Sequence, residues 1–302
     1  MSDSHERLPV TLPRLAEMRE AGEPIVMVTA YDYPSAQVAE EAGVDIVLVG
    51  DTAAVTVLGY PGTEPVSMEE MMMLGKAVRR GLRTPLMVGD MPMGSYEVSN
   101  EQAVSSAQRM VKQTGCKVVK LEGAGTSVDR ARAIIRAGIP VMGHVGLTPQ
   151  SATALGGYKT QGRTAERAAR LASEALALQA VGCFAIVFEA VPAAVTEEIV
   201  KRLEVPTIGI GAGPATAGQV LVFHDLLGIT EGRVPSFVKR YAEVRESMVQ
   251  GVRDYVGEVR SGEFPGPEHV YSVEPGELAE LTRFLDQESL SSSSSWDWEP
   301  LP

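Results

Sequence analysis

The chain predicts an α/β fold: a closed (β/α)8 TIM barrel with a short helix closing its N-terminal end and a helical extension at its C-terminus. Three observations carry this expectation. Eight short runs rich in Val, Ile and Leu recur over roughly 200 residues, and helix-like stretches separate them. Five polar or ionisable residues, Asp51, Asp90, Glu122, His144 and Glu189, each follow such a run directly. Charged groups at the same end of several buried strands are costly to place unless they have partners. The C-terminal rim of a barrel, where strand ends converge on one site, accounts for all five together. Eight units favour the closed barrel, although spacing alone leaves an open doubly wound sheet available.

Taken in order, Thr11–Ala21 carries Leu12, Leu15, Ala16 and Met18 at helical spacing and stops at Gly22, which predicts the closing helix. The strands are expected at Ile25–Thr29, Ile46–Val49, Leu86–Gly89, Val118–Leu121, Val141–Gly143, Ala185–Phe188, Thr207–Ile210 and Val220–Phe223. Helices are expected at Ser35–Ala42, from Ser67 with a capping box to Glu70, at Asn100–Thr114 with Asn100 as N-cap, and at Thr126–Ala137, Thr164–Val181 and Val195–Leu203. Two long connections, Thr52–Pro65 and Val145–Arg163, fall on the rim side and read as binding loops or lids. A final helix is expected over Phe237–Ser261. Composition places a catalytic barrel domain at 1–261. It places an acidic, Ser-rich tail at 262–302, with Ser291–Ser295, Trp296 and Trp298 as a low-complexity end and a weak helical pattern at Glu277–Leu285.

Charge excludes some classes of function. The net charge of −12 comes mostly from the tail, where nine acids face one arginine, a net −8 that leaves −4 for the remainder. No basic stripe is present to bind nucleic acid. No uninterrupted apolar stretch reaches the length of a membrane span, and the start, Met1–Arg7, lacks a secretory pattern. Cys116 and Cys183 read as buried reduced thiols. A cytoplasmic location is the expectation. Arginine outnumbers lysine 20 to 7, which fits salt adaptation and biased genomic composition alike.

The rim residues suggest their own chemistry. Asp51 and Asp90 each follow Val-Gly, which suggests a sharp turn of the backbone close to a ligand. Lys120 and Glu122 are two apart on one strand and share a face. Three carboxylates with a lysine suggest a hard divalent cation, because Mg2+ takes one or two carboxylates, waters and substrate oxygens. Without paired His or Cys ligands, zinc is disfavoured. Glu189, between Phe188 and Ala190-Val-Pro, has an apolar setting that would raise its pKa and suit acid–base work. His144 is read equally well as a catalytic residue or a buried, hydrogen-bonded one. Gly209-Ile-Gly-Ala-Gly213 completes no nucleotide-binding motif, so close backbone packing is its expected role. Met71-Met-Met reads as core filler.

Six segments, taken with these residues, resemble ketopantoate hydroxymethyltransferase. They are Thr29-Ala-Tyr-Asp-Tyr, Leu48-Val-Gly-Asp51, Val118-Val-Lys-Leu-Glu-Gly, Gly143-His-Val-Gly-Leu-Thr-Pro-Gln-Ser151, Gly156-Gly-Tyr-Lys-Thr-Gln-Gly-Arg163 and Ile208-Gly-Ile-Gly-Ala-Gly213. The resemblance spans roughly Ile25 to Glu268. It implies a (β/α)8 barrel, Mg2+, 5,10-methylenetetrahydrofolate or a related pterin as carbon donor, and a homo-oligomer, with a decamer as the suggested form. It implies that Asp51 and Asp90 bind the metal, with Glu122 joining through the metal's shell. Asp51, Thr52, Asp90, Lys120 and His144 are then expected to contact the 2-oxo acid, with Glu189 as the catalytic proton acceptor. Thr52 departs from the family's usual serine, and the segment around Asp90 is a looser match. The expected reaction adds a hydroxymethyl group to C3 of 3-methyl-2-oxobutanoate through a Mg-stabilised enolate, the first step of pantothenate synthesis. The nearest rival is the phosphoenolpyruvate mutase and isocitrate lyase group, and a catalytically silent barrel is a further alternative. The long fifth-strand loop and the lack of a Lys-Lys-Cys-Gly-type segment weigh against the rival group. Retention of all five rim residues weighs against a silent barrel.

Overall fold

Eight parallel strands close into a barrel in sequence order in the computed structural model, which describes residues 7–151, 157, 159–232 and 234–287. The strands are β1 (Ile25–Thr29), β2 (Ile46–Val49), β3 (Leu86–Asp90), β4 (Val118–Lys120), β5 (Val141–Gly146), β6 (Ala185–Glu189), β7 (Thr207–Ile210) and β8 (Gly218–Leu221). β8 closes the ring on β1, from Ile25↔Gly218 to Val28↔Leu221. The helices are α1 (Leu12–Ala21), α2 (Tyr33–Ala42), α3 (Ala53–Thr56), α4 (Met68–Gly81), α5 (Asn100–Thr114), α6 (Thr126–Arg136), α7 (Ala165–Ala180), α8 (Ala193–Val200), α9 (Phe223–Leu226), α10 (Val244–Ser261) and α11 (Pro275–Gln287).

The period-two alternation of the strands divides the core into two layers. Ile25, Met27, Ile46, Leu48, Leu86, Val88, Val118, Met142, Ala185, Val187, Ile208 and Val220 fill the interior, and Leu15 and Met18 of α1 pack with them. That is the closing helix expected from sequence. It is started by the Thr11 side chain and ended by Gly22 in the left-handed conformation. The intervening residues, among them Val47, Val49, Met87, Val119, Ile186 and Phe188, face outward into the layer shared with the helices. Each fully buried large side chain there contributes roughly 1.5–3 kcal/mol.

Several boundaries differ from expectation. The N-cap of α5 is Ser99, whose hydroxyl accepts from the Gln102 amide, while Asn100 accepts from Arg130. β8 begins at Gly218, two residues early. Any Cβ there would crowd Ile25, so its glycine reads as a loop in sequence yet serves tight pairing. The long helix expected from Phe237, α10, starts at Val244. The Tyr241 and Val244 amides are held by the Leu226 and Leu227 carbonyls, and Phe237 is packed over Gly211, which keeps the intervening chain out of a helix. In the Gly209–Gly213 segment a Cβ on Gly211 would meet the Phe237 ring and one on Gly213 would overlap Ala193. Close packing is what those glycines serve. Met71 and Met72 are buried, whereas Met73 is exposed. Both cysteines are free and buried, and burial pushes the Cys183 thiol up to about 12.

By packing, the chain forms two units, Met1–Arg245 and Glu246–Pro302. The division falls within α10, whereas composition changes only after Ser261. Packing depends on where side chains are buried, and α10 has no buried residue. Within the second unit Tyr255, Phe264 and His269 stack in series, with ring centroids 5.5 and 5.1 Å apart. Gly156, Tyr158, the Ser291–Ser295 run, Trp296 and Trp298 lie outside the described residues. Among the described residues no helix is long and apolar enough to cross a membrane.

Candidate active site

The interior alternation that places Leu86 and Val88 inside the barrel places Asp90 there next, at the rim. The same parity carries Val118 to Lys120 and Glu122, Met142 to His144, and Val187 to Glu189. These polar residues are therefore the top layer of the barrel interior. Asp51 lies in the turn after β2, one residue off this parity, and Thr52 follows it. All seven residues singled out from sequence, Asp51, Thr52, Asp90, Lys120, Glu122, His144 and Glu189, line one cavity of about 40 Å3 at the C-terminal mouth. Neither Asp51 nor Asp90 caps a helix: α3 is preceded by Thr52, which makes no capping bond, and Asp90 is engaged across the sheet.

Register explains the first pair. Lys120 and Asp90 are direct neighbours on β4 and β3, and Lys120 Nζ donates to both Asp90 oxygens, at 2.7 and 2.8 Å. Asp90 Oδ2 also accepts from the Asp51 amide at 3.1 Å. Lys120 Nζ lies 3.6 Å from Glu122 Oε1. His144 sits between two carboxylates, Nδ1 being 3.4 Å from Glu122 Oε1 and Nε2 3.3 Å from Glu189 Oε2. Neither nitrogen meets hydrogen-bond geometry, so these are charge contacts, not aligned bonds. β5 runs on to Gly146, which places His144 within the strand instead of at its end.

Burial and charge set the protonation states. Asp51 is raised well above the ordinary carboxylate range, first by burial and then by the Asp90 and Glu122 charges. Asp90 is raised by burial, which outweighs the Lys120 ammonium beside it. Burial would also raise Glu122, but Lys120, His144 and the Gln150 amide hold it below its ordinary value. Burial would lower Lys120, yet the surrounding carboxylates keep it above the usual lysine value. His144 reaches about 9 because Glu122 and Glu189 outweigh the burial that opposes its charge.

Two sequence expectations change here. The Glu189 side chain is 17% exposed and its nearest partner is His144, so its setting is not the purely apolar one that its flanking residues suggest. Gly89 makes room on the outer face, where a Cβ would crowd Met110 and Cys116, rather than a turn towards ligand. Among the described residues no three His, Cys, Asp or Glu side chains form a complete metal cage. A larger surface groove lies elsewhere, on the outer wall of β7, β8 and β1, and holds none of the rim acids. With no helix joining β7 to β8, Val26 and Gln219 stay exposed there.

Two residues of the cluster carry no charge that would mark them in the sequence. Gln150, 6% exposed, and Tyr96, 2% exposed, are woven into the carboxylates. Gln150 donates from Nε2 to Asp51 Oδ2 at 2.9 Å and from its backbone amide to Glu122 Oε2 at 3.0 Å. It accepts from the Tyr96 hydroxyl at 2.6 Å. Gln150 lies in a motif quoted above, but an uncharged amide in a loop gives no burial anomaly to notice.

Comparison with known proteins agrees with the resemblance. The family model for ketopantoate hydroxymethyltransferase matches residues 9–267. The 3-methyl-2-oxobutanoate hydroxymethyltransferase of Moorella thermoacetica is 51% identical over 266 residues, covering 88% of this chain and 99% of its own. That of Heliobacterium modesticaldum is 49% identical over 265 residues, covering 88% and 96%. Among solved structures, phosphonopyruvate hydrolase in complex with oxalate and Mg++ has a TM-score of 0.56 at 13% identity, covering 93% of this chain and 99% of its own. The 2,3-dimethylmalate lyase of the PEP mutase/isocitrate lyase superfamily has a TM-score of 0.55 at 15% identity, covering 91% and 95%. At those identities the likeness to the rival group shows the barrel fold alone. The chain belongs to the ketopantoate hydroxymethyltransferase family and is a hydroxymethyl-transferring enzyme.

Proposed function

We propose that the chain moves a one-carbon unit from 5,10-methylenetetrahydrofolate to C3 of 3-methyl-2-oxobutanoate, giving 2-dehydropantoate, with Mg2+ held at the rim. Charge balance supports the cation. Four carboxylates, Asp51, Asp90, Glu122 and Glu189, share the cavity with two cationic groups, Lys120 and a protonated His144. One divalent cation would neutralise the remainder and relieve the carboxylate repulsion that adds to burial in raising Asp51 and Asp90. Two aspartates, waters and substrate oxygens satisfy what Mg2+ ordinarily takes, so the lack of a protein cage is no obstacle. Asp51 and Asp90 would hold it directly. Glu122, whose Oε2 accepts from the Gln150 amide and whose Oε1 faces Lys120 and His144, would act through its shell.

When bound, Mg2+ would withdraw electron density from the 2-oxo group and offset the charge that builds there. Lys120 adds fixed positive charge on the same side of the cavity. The Thr52 hydroxyl, free of any capping bond, donates to the substrate carboxylate. Glu189 takes the C3 proton, and the electron pair left behind forms the enolate. His144 holds Glu189 on the side away from the aspartates. C3 then bonds to the methylene carbon as that carbon's bond to one folate nitrogen breaks, the freed nitrogen taking the proton that Glu189 removed. Water displaces the second nitrogen, giving its oxygen to the new hydroxyl and a proton to that nitrogen, and tetrahydrofolate leaves. The small cavity has room for roughly three waters, so the keto acid extends from it into the open mouth, where the larger folate approaches.

The observation that carries this reading is Glu189 standing apart from the Asp51–Asp90–Lys120 group in one cavity. The test is product formation. With both substrates and Mg2+ the purified chain should yield 2-dehydropantoate by mass spectrometry. Glu189→Gln should lose at least a hundredfold in rate, the lower range of general-base contributions. Unimpaired turnover in that variant would remove Glu189 from the base role.

A further inference from the structure

Gln150 takes no part in the chemistry above, yet it is among the most fully bonded polar side chains of the site. It stands on the turn after β5, in the short 3-10 segment Pro149–Ser151, and reaches across the mouth to three other strand ends. Its Nε2 donates to Asp51 Oδ2, after β2, and to the Met91 carbonyl, after β3, at 2.9 and 3.0 Å. Its backbone amide donates to Glu122 Oε2, after β4. Its Oε1 accepts from the Tyr96 hydroxyl, which itself accepts from the Glu122 amide at 3.3 Å. Both amide hydrogens and the amide oxygen are thus used, in a place almost sealed from water.

Only one orientation of this amide satisfies the site. Turned over, its oxygen would face the Asp51 carboxylate and the Met91 carbonyl, two acceptors with nothing to share. The network therefore determines which end of Gln150 meets Asp51, and the bond it makes there falls on Oδ2. Among the described residues the hydrogen bonds to the Asp51 side chain all fall on Oδ2, leaving the Oδ1 lone pairs uncommitted. Ligands to a cation ordinarily need an outer partner of this kind, and losing it typically weakens metal affinity 10- to 100-fold.

We infer that Gln150, locked by Tyr96, is a positioning residue that turns the Asp51 carboxylate so that Oδ1 is presented to the cation. This inference rests on the cation site proposed above. Its second element is that the fifth-strand loop, through the Gln150 amide, holds the Glu122 carboxylate in its outer place.

The test titrates Mn2+ alone into the whole chain, following free ion by electron paramagnetic resonance without substrate. Gln150→Met keeps the volume and removes all three side-chain hydrogen bonds. Tyr96→Phe removes only the lock. Gln150→Met should weaken Mn2+ binding 10- to 100-fold, and Tyr96→Phe should weaken it less than tenfold in the same direction. Saturating metal should restore exchange of the substrate C3 proton in both, which a merely misfolded mouth would not allow. Binding in Gln150→Met within twofold of the parent, or exchange that saturating metal does not restore, would overturn the inference. If the parent chain itself binds no Mn2+, the cation reading falls and the inference falls with it. Parent binding with an unchanged variant removes Gln150 alone.

Discussion

Lys120→Met takes the ammonium out of the buried cluster while keeping most of the side-chain volume. Lys120 is 4% exposed and Asp90 1%, and the two are joined through both Asp90 oxygens. Removing one partner of a buried pair ordinarily costs about 3–5 kcal/mol, because the other charge is left without compensation. Two features place this case near the lower end. The Asp51 amide still donates to Asp90, and Asp90, already raised by burial and by Glu122, can escape by taking a proton. About 3 kcal/mol at pH 7 is expected, or roughly 1 M in urea midpoint for a slope of about 3 kcal/mol per M. Circular dichroism suits the measurement, since both tryptophans, Trp296 and Trp298, lie beyond the last strand in sequence. Adding Asp90→Asn removes the orphaned charge, so the double variant should recover about 2 kcal/mol relative to Lys120→Met. In Lys120→Met the folded Asp90 holds its proton at a pH where the unfolded one, near 3.9, has lost it. The deficit should therefore shrink as pH falls from the raised folded value towards about 4. A urea midpoint within about 0.2 M of the parent's at pH 7, for a slope of that size, or an additive double-variant cycle, would refute the reasoning.

Three further outcomes are expected. The Glu40 carboxylate accepts from the Arg83 and Thr84 amides and the Thr84 hydroxyl at 2.7, 3.0 and 2.7 Å. Those bonds hold it below its ordinary value although burial opposes them. Glu40→Gln should cost about 1 kcal/mol near neutrality; this difference is fully present above the unfolded value near 4.3 and disappears as pH falls through the folded one, checked by urea midpoints from pH 7 to 3. Gly146 has φ +100°, and a Cβ there would overlap the Glu189 carbonyl; Gly146→Ala should destabilise the fold by about 3 kcal/mol and lower kcat by displacing Glu189, read by thermal unfolding and steady-state kinetics. Thr52→Val keeps the shape and loses the hydroxyl, so KM for the keto acid should rise about tenfold for one lost hydrogen bond to a charged group, whereas Thr52→Ser should stay near the parent.

Much of the site is legible in sequence because one physical signal marks it. A charged residue ending an apolar run is an anomaly of burial, and Asp51, Asp90, Glu122 and Glu189 each show it. Strand parity then adds Lys120 through its spacing from Glu122. Parity does not reveal which strands lie side by side, so the Lys120–Asp90 bond appears only with the β3–β4 register. Gln150 and Tyr96 are silent for a different reason. Neither carries charge, and their significance lies wholly in partners 99 and 26 residues away. The misplaced edges have local causes. Ser99 displaces Asn100 as N-cap because both residue types cap well, and Gly218 hides the start of β8 because a glycine read alone suggests a loop. Glu189 was expected to be apolar from its flanks, but its nearest partner, His144, comes from the neighbouring strand.

The proposed function requires this barrel to remove the C3 proton of a 2-oxo acid beside a bound cation, independently of the carbon donor. Proton NMR of 3-methyl-2-oxobutanoate in D2O, with the chain and Mg2+ but no folate, tests it most directly. The C3 proton signal should disappear with Mg2+ present and persist after chelation. A C3 signal that persists in the presence of both chain and Mg2+ would contradict it.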